Sequence, residues 1–124
     1  MDVSGSYDGI AAIEAALLLK EFVNDIDARH QQVVNDLADE FLRLSPEELA
    51  EQPDYGSIMR QMDGKNIEVA FWHYQLKDYT DHIVFIISRR LLIPCFCRKF
   101  VSGVVFGPTT IPRLMTDDEA GAYD

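Results

Sequence analysis

NIEVAFWHYQL, residues 66–76, is the stretch on which the reading of the fold turns. Apolar residues recur here at every second position. Ile67, Val69, Phe71 and His73 point one way, and Glu68, Ala70, Trp72 and Tyr74 the other, which is the period of a β-strand. Upstream of this stretch the period is helical, and downstream it stays extended. The chain therefore divides into a helical part, residues 8–52, and a β-meander, residues 66–107. A short tail follows at residues 108–124.

Downstream, Lys77–Asp81 is a polar loop of hairpin length. HIVFIISRR (82–90) predicts a second strand that is apolar on both faces in its middle. Cys95–Phe106 predicts a third, kinked at Ser102-Gly103, where glycine weakens a ladder. Thr116 and Glu119 have the spacing of a capping box, so the tail closes on a short helical turn.

Upstream, residues 1–7 read as a flexible lead-in. From Asp8 to Arg43, Leu19, Val23, Ile26, His30, Val33, Leu37 and Phe41 follow at steps of three or four and share one helix face. One helix of that length spans about 54 Å at 1.5 Å per residue. A compact domain of this size is only about 35 Å across. Either the helix breaks at Asn24-Asp25, or a second subunit covers the overhang. The second alternative is preferred, and it predicts a homodimer. Ser45-Pro46-Glu47-Glu48 starts a short second helix, with Ser as N-cap and Glu48 closing a capping box. Asp54–Gly64 reads as irregular, with turn signals at Tyr55-Gly56 and Asp63-Gly64. The predicted fold is a single α+β domain over residues 1–124. A long N-terminal helix and a short helix pack on one face of an antiparallel β-meander of three to four strands.

Charge follows the same division. The 124 residues carry a net charge of −10. Residues 1–55 hold thirteen acidic and three basic side chains, residues 56–116 four and eight, and residues 117–124 four and none. So strong an acidic excess argues against nucleic acid, whose phosphates require Lys and Arg, and against an anionic membrane surface. Mimicry of nucleic-acid charge is weakened by the basic sheet region. Arg89-Arg90 and Arg98-Lys99 interrupt the richest apolar region, so no transmembrane helix is expected. Two cysteines suit a reducing, cytoplasmic setting.

Three sets of residues are candidates for function. The first is the stretch LLIPCFCRKF (91–100). Its Leu91, Leu92, Ile93 and Phe96 would form an exposed apolar row if the third strand were an edge. Basic pairs flank that row and could meet the acidic helix of another chain. Asp36, Asp39 and Glu40 crowd like charges on that helix, a stripe suited to a basic partner. The second is a pocket between helix and sheet holding His30, His73 and Tyr74. The third is a Cys₂His₂ metal set of Cys95, Cys97, His73 and His82, although the spacing matches no zinc motif. Free cysteine more often behaves as a small hydrophobe, so core or interface is the preferred reading of the Cys pair. No glycine-rich phosphate loop, no Ser/His/Asp spacing and no paired-carboxylate signature is present. The expectation is a small acidic, non-enzymatic protein-binding module that self-associates, of adaptor, inhibitor, immunity or chaperone type, with no cofactor. The alternative is a small-molecule-binding or catalytic α+β domain.

Overall fold

A computed structural model describes the backbone of residues 3–90 and 97–124, and the side chains of 12–21, 24–89 and 98–124. The order of elements is α1 (Val3–Leu42), α2 (Pro46–Ala50), β1 (Tyr55–Met62), β2 (Lys65–Gln75), β3 (Asp81–Arg90), β4 (Cys97–Gly107), β5 (Thr110–Leu114) and α3 (Asp117–Gly121). The strands form one antiparallel sheet in the order β1-β2-β3-β4-β5. The α+β arrangement is the expected one, with one strand more than the expected maximum.

The helical region is one unbroken helix. It does not stop at Asn24-Asp25, and it begins at Val3, so residues 3–7 are its first turns rather than a lead-in. The short helices start as their sequences require. Ser45 and Thr116 each accept the N–H three residues on, while Glu48 and Glu119 accept the cap N–H in return. Each such cap satisfies donors that the first helical turn leaves unpaired.

The region 54–64 is not irregular: it holds strand β1. Met62 pairs with Lys65, leaving Asp63 and Gly64 as a two-residue hairpin turn with φ of 53° and 77°. Positive φ at both positions is the turn geometry that follows the right-handed twist of the flanking strands. Tyr55-Gly56 is not a turn. Gly56 lies opposite Phe71, and a Cβ there would fall 2.7 Å from the Phe71 ring, so the glycine makes room for that ring. A second correction concerns Ser102-Gly103. The strand runs through without a kink, and the irregularity falls at Val105–Gly107. Gly103 allows close approach instead: a Cβ would collide with the Ile83 carbonyl and meet Met115.

The main core lies between α1 and the sheet. Val34, Leu37 and Ala38 of α1 and Leu49 of α2 are fully buried against Val69 and Phe71 of β2, Ile83, Phe85 and Ile87 of β3, and Phe100, Val104 and Phe106 of β4. Phe85 sits centrally, edge-on to Phe41 at 4.8 Å between ring centroids. Burying one such side chain contributes about 1.5–3 kcal/mol. The other sheet face is covered in part by the C-terminus. There His82, Val84, Val101 and Val105 are buried, and Tyr123 stacks on Tyr74 at 5.3 Å.

Candidate functional site

Each of the three histidines makes a hydrogen bond through Nδ1. His30 Nδ1 donates to the Ile26 carbonyl at 2.7 Å, and the ring stacks on Phe100 at 5.2 Å. His73 lies between two acceptors, the Gln52 carbonyl at 3.0 Å from Nδ1 and the Asp81 carboxylate at 3.0 Å from Nε2. The ring borders a depression with Asp54 and Gln75. His82 Nδ1 lies 2.9 Å from the Tyr123 hydroxyl. Burial, opposed by Glu119 and Asp78, lowers the His82 pKa below 6.5, and burial raises that of Tyr123.

The expected pocket of His30, His73 and Tyr74 does not form. His30 lies over β4, while His73 and Tyr74, as strand neighbours, point to opposite sheet faces. The expected metal set fails for the same reason. His82 is opposite Tyr74, and His73 is opposite Ile83, so the two histidines lie on different faces. His82 also pairs with Val105 and Arg90 with Cys97, at opposite ends of β4, roughly 26 Å apart along the strand. Among the described residues no group of three or more His, Cys, Asp or Glu could hold a metal ion. Cys95 lies outside the described residues, as do Leu91, Leu92, Ile93 and Phe96.

The charged residues are arranged differently from the expectation. Arg89 and Arg98 are paired across β3 and β4. Both reach Asp27 of α1, Arg89 at 2.8 Å. Two like charges directly opposite would repel, and the shared carboxylate removes that cost. These basic residues therefore meet the acidic helix of their own chain. Arg29 pairs with Asp63 in the β1–β2 turn. In the acidic stripe, Glu40 pairs with Arg60 at 2.6 Å and Asp36 accepts from Gln32 at 2.7 Å. Asp39 borders a groove described below. The third expected strand, β4, is covered on its outer side only along its C-terminal half, where β5 pairs with it.

Asp27 was missed in the sequence, yet its position marks it. It sits three residues before His30 and seven before Val34, inside the apolar stripe, where an acid needs a partner. Glu119 is similar. Its carboxylate takes two bonds from Arg113, at 2.7 and 3.0 Å, and one from the Thr116 N–H. Arg113 above all holds it at a pKa of about 2.

Two surfaces remain unexplained by internal packing. One is the N-terminal half of α1. The helix engages the body from Asp27 onward, and residues 12–21 are all exposed. Ile13, Leu17, Leu18 and Leu19 stand 57–66% exposed. Only Glu14, Lys20 and Glu21 carry charge among residues 12–21.

 Residues 12–21 make about three helical turns, and their aliphatic side chains spread around most of the circumference. The other surface is a groove of about 550 Å³ between α1, β4 and α3, bordered by Gln31, Asn35, Asp39, Lys99, Val101, Asp117 and Asp124.

Comparison with protein-family models, with curated proteins and with solved structures gives no match. Among the described residues no helix is long and apolar enough to cross a membrane.

Proposed function

We propose that this chain is a small acidic protein-binding module, without chemistry of its own, that pairs with a second copy through the N-terminal half of α1. The observation that carries this reading is the exposure of Ile13, Leu17, Leu18 and Leu19 on a helix that continues past its own sheet. Exposed aliphatic side chains gathered on one helix half mark an interaction site. A helix that is apolar around most of its circumference needs cover on more than one side. A two-fold pairing supplies part of that cover, because each helix half lies against the other with the same residues. The engagement of the histidines supports a binding role over a catalytic one. The two cysteines suit a reducing, cytoplasmic setting.

Sedimentation velocity of the full chain tests the reading. The expected species has twice the 14.1 kDa chain mass. Leu17→Glu with Leu18→Glu is expected to give a monomer whose circular dichroism keeps the β signal. A wild-type monomer at about 100 μM, far above the Kd of a specific dimer, would overturn the reading.

A further inference from the structure

Strand β4 is only half covered. Strand β5 pairs with it at Val104, Val105 and Gly107, and Met115 N–H donates to the Gly103 carbonyl at 2.8 Å. No described strand pairs with that edge from Cys97 to Ser102, a length of roughly 20 Å. Backbone groups in a strand alternate in direction, so Val101 and Lys99 face the same way as Gly103, out from β3. The Val101 carbonyl confirms this, because it accepts from the Gln31 side-chain amide at 3.0 Å. That amide stands where the N–H of a neighbouring strand would stand. It also has a second acceptor in reach, Asn35 Oδ1 at 3.0 Å, to which it can retreat. The groove runs along this edge, and its lining carries the carboxylates of Asp39, Asp117 and Asp124 against the single ammonium of Lys99.

We propose that this groove takes an extended, basic peptide segment of a partner protein, which adds as a strand to the Cys97–Ser102 edge of β4 in line with β5. The main-chain bonds would give affinity, and the carboxylates would select Lys or Arg at the positions that face them. The proposal names a partner class for the protein-binding reading, but it uses other residues than self-association does and survives if the chain is a monomer.

The test is fluorescence polarisation with a labelled peptide of about seven alternating Lys and Val residues, long enough to span the edge. Its Glu–Val counterpart and a Lys–Val peptide N-methylated along one edge serve as comparisons. The Lys–Val peptide is expected to bind at least about tenfold more tightly than either. Gln31→Ala should tighten binding, because no side chain then competes for the Val101 carbonyl. Lys99→Pro removes an outward N–H, a change that edge strands tolerate. It should lose binding, whereas Lys99→Ala should not. The Leu17→Glu, Leu18→Glu chain should bind as the wild type does. Equal binding of the Lys–Val and N-methylated peptides would overturn the proposal, whatever the folding of Lys99→Pro. So would a peptide that does not bind, or a Lys99→Pro chain that folds but no longer self-associates, which would assign the edge to a second copy.

Discussion

Residues 12–26 and 27–42 belong to the same helix and meet opposite surroundings. In the second half, Val34, Leu37 and Ala38 are fully buried under the sheet-facing side. In the first, Leu17, Leu18 and Leu19 are exposed, although these are the more apolar residues of the two sets. Hydrophobicity alone does not place a residue in a core; it must lie over something. The second half lies over Phe85 and Phe100, while the first has passed the sheet. The helix keeps its backbone bonds in both halves, because an α-helix satisfies them internally. Only its side chains register the difference.

The largest expected effect breaks the comparison most directly. Leu37→Ala should cost about 2–5 kcal/mol of stability, the range for a buried leucine that leaves a cavity. Leu18→Ala should change the stability of the isolated fold by less than about 0.5 kcal/mol, as exposed substitutions do. Under the proposed pairing, it should instead raise the dissociation constant of the dimer. Urea melts of both variants at low protein concentration, beside sedimentation at high concentration, separate the two outcomes. A large loss of fold stability for Leu18→Ala would place both halves in one core.

Much of this was legible in advance, and the remainder was hidden for physical reasons. The stripe on α1, the capping boxes at Ser45 and Thr116 and the central strands all carry strong local signals. Strand β1 was hidden because it is an edge: Tyr55, Ser57, Met59 and Gln61 face outward and need not be apolar. Strand β5 contains Pro112, which argues for a tail unless the strand lies at an edge, as it does. The separation of His73 from His82 could have been read. A hairpin loop of five residues sets residues of equal parity opposite one another, so an odd and an even position cannot share a face. The salt bridges of Asp27 could not have been read in the same way, because they depend on how α1 crosses β3 and β4.

Asp27 marks where the two halves divide, and its neighbour Asp25 sharpens the point. Asp27→Asn leaves Arg89 and Arg98 opposite each other without a full counter-charge. The Asp27 side chain is 14% exposed, so the cost should lie between that of surface and buried pairs, about 1–2 kcal/mol. Asp25→Asn, two residues earlier and exposed, should cost less than about 0.5 kcal/mol. Urea midpoints at low and high salt measure both. Equal costs would mean that the body begins before Asp27.

The smallest effect is one of pH, and it should reach only one of the two regions. Burial is the main cause that lowers the His82 pKa in the folded chain; Arg113 adds to it, while Glu119, Asp78 and Asp81 oppose it. In the unfolded chain the ring takes up its proton near pH 6.5. Below that value the unfolded state binds more protons than the folded one, so stability falls as pH falls. Above it both forms are neutral, and His82 contributes no slope. Urea midpoints between pH 7.5 and 5.5 should therefore decline in the wild type and decline less in His82→Gln. The chain's histidines are residues 30, 73 and 82, so the N-terminal half of α1 has none. Self-association through that half should be flat over the same pH range in both proteins. If the dimer weakened in step with the fold, and His82→Gln removed both effects, the interface would have to include the sheet face that carries His82 and Tyr123, and the separation of the two regions would fail.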